Sequence, residues 1–107
     1  MFGPKLYQGA RSIDGRMEVT VDGQPLDPRL DIRNHSPTGF EVGYGGSGPA
    51  QLALAILADA LGGELAQRHY QDFKREIIAA IEDDTWIITQ AEVRSWLHKV
   101  LSSPDDQ

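Results

Sequence analysis

Residues 39–63, GFEVGYGGSGPAQLALAILADALGG, join a short β-like run to a glycine loop and then to a strongly apolar stretch of helix formers. Gly43, Gly45 and Gly48 satisfy the G-x-G-x-x-G pattern of a dinucleotide-binding loop. A mononucleotide fold needs a buried parallel strand before those glycines and, after the helix, a second strand ending in an acid for ribose. Here a second helical pattern follows instead, and Glu41 interrupts the short run in front. A phosphate-binding P-loop is excluded as well, because Pro49-Ala50 stand where the lysine and the magnesium-binding hydroxyl belong. Two successive helices over residues 49–81 are therefore what the rest of the chain must accommodate.

Three readings of the loop remain. A glycine loop entering a helix exposes backbone N–H groups at the positive end of the helix dipole, so Gly45, Gly46, Ser47 and Gly48 can receive an anion. The same glycines also suit a sharp structural joint between strand and helix, or a loop that contacts another protein. Tyr44 and His35 are the natural neighbours of any ligand, one as an aromatic face and the other as a group titrating near neutrality.

Before the loop, residues 5–32 read as a β-meander. Asp14-Gly15 and Asp22-Gly23 are turn signals, and Met17, Val19 and Val21 alternate with Glu18 and Thr20. Pro25 and Pro28 each remove a donor, so residues 24–33 are an edge strand or irregular return with Leu30 and Ile32 inward. Residues 34–39, NHSPTG, form a dense turn cluster before a short strand at 40–44.

After the loop, Pro49 suits a first helical turn that Ser47 or Gly48 caps, and the helix is apolar on every side except Gln51 and Asp59. The next helix, 64–81, carries its apolar stripe at Ala66, Tyr70, Phe73, Ile77 and Ile81. Its outer face has the favourable spacings Arg68/Asp72 and Asp72/Arg75. TWIIT at 85–89 reads as a strand, and Thr89-x-x-Glu92 as a capping box opening a last helix with Val93, Trp96, Leu97, Val100 and Leu101 inward. The expected fold is α+β: a small, mainly antiparallel sheet packed against three helices in the order β-β-β-α-α-β-α, in one domain over 1–107 with flexible ends at 1–4 and 102–107.

Composition narrows the chemistry. The chain has no cysteine, which excludes disulfides and thiolate catalysis. Sixteen acids against ten dispersed bases, a net charge of −6, lack the footprint of a nucleic-acid binder. A helix over 49–61 would reach only about 20 Å, too short for a bilayer. A soluble, cytoplasmic protein is expected. His35, His69 and His98 have no metal-binding spacing, residues 82–84 (EDD) lack a calcium-loop layout, and Trp86 and Trp96 read as core. Neither a metal nor a cofactor is expected.

The blocks NHSPTGFEVGYGGSGPAQLALAILADALG and YQDFKREIIAAI, with Trp86 and Trp96-Leu97, resemble a family of small proteins of unknown function from phages, plasmids and prokaryotic genomes. The likeness runs over residues 7–97. Val42 stands where such proteins often carry tryptophan. The resemblance implies a mobile-element setting and transfers no catalytic residue. The leading expectation is a non-enzymatic interaction protein that binds and inhibits or modulates a host protein, such as a defence component, through residues 34–48 and the face of Arg68, Asp72 and Arg75. The alternative is a domain holding a phosphate-bearing metabolite or nucleotide at the glycine loop; an enzyme built on His35 and Ser47 ranks third.

Overall fold

Two short turns decide how the N-terminal third pairs. At Asp22-Gly23 both residues have positive φ, 51° and 84°, the geometry of a two-residue I′ hairpin, and Asp22 Oδ1 accepts the Leu6 N–H at 3.0 Å. The structure, a computed structural model, describes residues 5–36 and 39–102. Residues 1–4, 37–38 and 103–107, on which the expected flexible ends and part of the expected turn cluster fall, lie outside the described residues.

The strands are β1 (Leu6–Arg11), β2 (Met17–Val21), β3 (Gln24–Pro25) and β4 (Thr85–Thr89). They form one sheet in the order β3-β2-β1-β4 with every pair antiparallel. The helices are α1 (Ser47–Leu61), α2 (Gly63–Phe73) and α3 (Gln90–Leu101). The order is the expected β-β-β-α-α-β-α, and the fold is α+β.

β3 is only two residues long; Pro25 lies where its missing N–H would face away from β2, Leu26 N–H still bonds the Val19 carbonyl at 3.0 Å, and the chain then returns irregularly. Ile32 packs against the core, but Leu30 is exposed, contrary to expectation. Arg29 adopts φ 56°, and its carbonyl accepts from the Ile32 N–H at 3.0 Å. That left-handed turn breaks the alternation that would have set both residues inward.

The expected strand at 40–44 is reduced to an isolated bridge between Phe40 and Met17. Gly43 ends it: its φ is 90°, and its N–H bonds the Ile78 carbonyl at 3.1 Å instead of a strand neighbour.

α1 is the centre of the molecule. Leu52, Leu54, Ile56 and Leu57 are completely buried, each contributing roughly 1.5–3 kcal/mol. Asp59 survives in so apolar a helix because its Oδ2 accepts from the Tyr7 hydroxyl at 2.7 Å and the Lys5 Nζ at 3.1 Å, tying α1 to β1. Burial, and then the Asp59 carboxylate, push the Tyr7 phenol above its usual range, so it stays a donor. The N-cap is Gly46 rather than Ser47 or Gly48, without a side-chain cap bond.

The expected helix 64–81 is two pieces. After α2 the chain makes a π-helical turn at Lys74–Ile78, with Ala79 N–H on the Lys74 carbonyl at 2.8 Å. The extra residue shifts the buried face, so Ile78 is fully buried while the expected Ile77 and Ile81 pack half-buried against the core. Arg68 pairs with Glu64 rather than with Asp72, whereas Arg75 does pair with Asp72.

The capping box is present, with Thr89 N–H on Glu92 Oε1 at 2.8 Å and Glu92 N–H on Thr89 Oγ1 at 3.0 Å. α3 buries Val93, Trp96 and Leu97, while Leu101 in its last turn is exposed. Trp96 meets Phe73 edge-on at 5.0 Å and donates to Glu76 Oε1 at 2.9 Å. Among the described residues no helix is long and apolar enough to cross a membrane.

Candidate functional site

Because β3 pairs only with the end of β2, the first part of β2 is left beside the segment that carries the glycines. Between them lies an open cleft of about 650 Å3. Buried Met17, Val19 and Leu26 and half-buried Phe40 supply its apolar lining. Tyr44 and Ser47 line it from the glycine loop, and Arg16, Glu18 and Glu41 bring charge of both signs.

Tyr44 stands over the loop. Its ring lies against Gly46, where a Cβ would collide with it, yet the side chain remains 53% exposed. Gly48 is buried against Glu41, and a Cβ there would stand 2.8 Å from the Glu41 Cβ. Gly45 is exposed with nothing close to it. Gly43, by its φ of 90°, and Gly48, by its contact with Glu41, thus each have a geometric reason to be glycine that involves no ligand.

The electrostatics come from an ion-pair cluster that sequence reading missed. Arg11, at the end of β1, donates to both Glu41 carboxylate oxygens at 2.9 and 3.0 Å, to Asp84 Oδ1 at 3.0 Å and to the Gly15 carbonyl at 2.8 Å. One guanidinium therefore ties the β1–β2 hairpin, the approach to the glycine loop and the turn before β4. The only sequence sign of it was Glu41 inside an otherwise β-like run. Bonds to Arg11 hold the Glu41 carboxyl below the usual carboxylate range. The ionised carboxylate beside the N-terminus of α1 works against a phosphate there, and Pro49 removes one of the N–H groups such a ligand would use.

A carboxyl whose pKa falls on folding stabilises the native state at pH values above its ordinary pKa, and that contribution is lost as pH drops through the lowered value. Arg11 stays charged throughout. Glu41→Gln is therefore expected to lower Tm near neutrality and to have a progressively smaller effect as pH falls below about 4. Thermal unfolding across a pH series checks this; a deficit that is constant with pH would contradict it.

The remaining candidate residues lie elsewhere. His35 Nε2 is 2.7 Å from the Tyr70 hydroxyl, with the rings tilted at 5.4 Å, and its backbone N–H bonds Gln51 Oε1 at 2.7 Å. It does not line the cleft with Tyr44 and Ser47. Arg68, Asp72 and Arg75 lie along α2 and do not line it either. Among the described residues no group of three or more His, Cys, Asp or Glu side chains is placed to hold a metal ion.

A family profile described as a family of unknown function (DUF6166) matches residues 7–99. The chain belongs to that family. The DUF6166 match runs from β1 into α3 and so takes in every element that builds the cleft. No curated protein and no solved structure matches the chain.

Proposed function

We propose that this DUF6166 protein is a non-enzymatic interaction module of a phage or other mobile element, and that its cleft grips an apolar segment of a host protein to inhibit or modulate it. The observation that carries this reading is Tyr44: an aromatic side chain more than half exposed, seated on Gly46, beside a cleft lined by Met17, Val19, Leu26 and Phe40. An exposed aromatic next to an apolar recess is the kind of residue that dominates binding energy at protein interfaces. Charges of both signs around it suit a segment with polar flanks. An enzyme using Ser47 and His35 is disfavoured because the His35 imidazole is engaged with Tyr70, away from the serine. The mobile-element setting and the host partner rest on the sequence resemblance.

The partner captured from host lysate is expected to bind Tyr44→Ala about 30-fold more weakly, the loss of one interfacial anchor, with the Tm of the variant unchanged. Undiminished affinity, or no captured partner, would contradict the proposal.

A cleft of about 650 Å3 is also large enough for a metabolite, which keeps a phosphate-bearing ligand or nucleotide as the second reading. It ranks lower because Glu18 and Glu41 line the same space. Nucleotide titration with amide shifts confined to residues 45–51 would favour it, and flat spectra would remove it.

A further inference from the structure

The stretch after α2 carries two overlapping apolar patterns. Ala66, Tyr70, Phe73, Ile77 and Ile81 follow α-helical spacing without a break, and that spacing alone sets Ile77 inward. The structure departs from it at Lys74–Ile78, where the Ala79 N–H reaches back five residues to the Lys74 carbonyl at 2.8 Å. One extra residue in the turn brings Ile78 to full burial and leaves Ile77 and Ile81 half-buried beside it. The neighbouring side chains at 77 and 78 are both isoleucine, so exchanging one for the other in the core changes neither volume nor hydrophobicity. The hydrogen bonds of the turn do change. The Ile78 carbonyl accepts from the Gly43 N–H at 3.1 Å and the Ile81 N–H at 3.2 Å, whereas a continued α-helix would turn it to the Glu82 N–H, four residues on. Glu76 Oε1, in the same turn, accepts from the Trp96 indole at 2.9 Å.

We propose that residues 74–82 have a second, α-helical register, in which Ile77 takes the core position of Ile78, and that the Gly43–Ile78 bond ties the glycine loop to the choice. In the π register the helix ends at Ile78, and its carbonyl pins Gly43. In the α register the helix runs on toward Glu82 and Gly43 loses its partner. The surplus residue passes into the turn before Asp84, whose carbonyl and side chain Arg11 holds in place. Both registers keep α2 on α1 and an isoleucine in the core, so the shift is local and belongs to the μs–ms range of helix register changes. Tyr44 follows Gly43 directly, so the register sets how firmly that side chain is presented. This consequence for binding rests on the reading of the cleft given above; the two registers themselves do not.

Nitrogen relaxation dispersion of the full chain, free in solution, tests this. The wild type is expected to show exchange at the amides of residues 74–82, at the Gly43 amide and at the Trp96 indole N–H, all with one rate and one minor population of about 0.1–10%. Ile78→Ala makes Ile77 the better core residue and should carry the Gly43 and Trp96 signals toward their minor-state shifts. Ile77→Ala, at a half-buried position, weakens the α register and should quench the exchange at all three places. Flat profiles at residues 74–82 and Gly43 in the wild type would overturn the proposal, as would exchange at Gly43 with a rate of its own or exchange that survives Ile77→Ala. Signals in Ile78→Ala that do not approach the minor-state shifts would overturn it equally. Should Ile78→Ala fail to fold, the wild type and Ile77→Ala still decide the question.

Discussion

Gln51→Leu is expected to destabilise the protein by about 4 kcal/mol, a large share of the roughly 5–15 kcal/mol that holds a domain folded. Gln51 is completely buried in α1. Its Oε1 accepts from the backbone N–H groups of His35 at 2.7 Å and Ser36 at 3.1 Å. Its Nε2 donates to the carbonyls of Pro28 at 2.5 Å and Arg33 at 3.0 Å. Both lone pairs and both amide hydrogens are therefore used, and each partner is backbone of the irregular segment between β3 and the glycine loop. Leucine fills the volume but orphans four backbone groups, each costing about 1–3 kcal/mol less whatever water recovers at the surface. Gln51→Glu should be as harmful, because a carboxylate would face two carbonyls. Urea unfolding measures the loss, and hydrogen exchange should show it concentrated at residues 28–36. A loss below about 1 kcal/mol would mean the segment is held by something other than this side chain.

Gly9→Val is expected to cost about 3 kcal/mol, the upper part of the usual range for overpacking. On strand propensity alone it should stabilise, since β1 is central in the sheet and glycine weakens a strand. The two effects have opposite sign, and geometry decides between them. Trp86 lies directly across from Gly9 in the β1–β4 ladder, and its indole covers the glycine so closely that a Cβ would overlap the ring. The ring has little freedom to retreat, being partly buried and packed against the core. Its Nε1 is buried without a hydrogen-bond partner, so Trp86→Phe should lose packing but no hydrogen bond. Gly9→Val combined with Trp86→Ala should therefore be less destabilised than the sum of the two changes, by about 1–3 kcal/mol of coupling. Stabilisation by Gly9→Val, or strict additivity in the double variant, would contradict this packing.

Most of the elements were legible because each rested on a local rule. Asp22-Gly23 turns through positive φ, Thr89 and Glu92 cap α3, and the alternation of Met17, Val19 and Val21 sets the buried side of β2. What escaped depends on partners distant in the chain. Ile78 joins the core as its fully buried member beside the half-buried Ile77 because of a π-helical turn, which a regular 3.6-residue period does not anticipate. The 40–44 strand dissolved because Gly43 bonds Ile78 and Glu41 bonds Arg11, contacts between residues far apart in sequence. Gln51 stood out as a polar residue in an apolar helix, but nothing local told which groups it satisfies. At the site, Tyr44, Ser47 and Gly48 were legible as one cluster, whereas the cleft wall of Met17, Val19 and Leu26 comes from a different part of the chain. His35 looked like a neighbour of the loop by sequence distance and is drawn off to Tyr70 instead.

The claim on which the functional account turns is that the cleft beside Tyr44, and not the charged face of α2, receives the partner. Hydrogen exchange of the protein, free and bound to the protein it captures from host lysate, reads this directly. Slowed exchange at residues 16–20 and 44–48, with Arg68, Asp72 and Arg75 unchanged, is the predicted footprint. Slowing confined to α2, with the cleft exchanging as in the free protein, would contradict it.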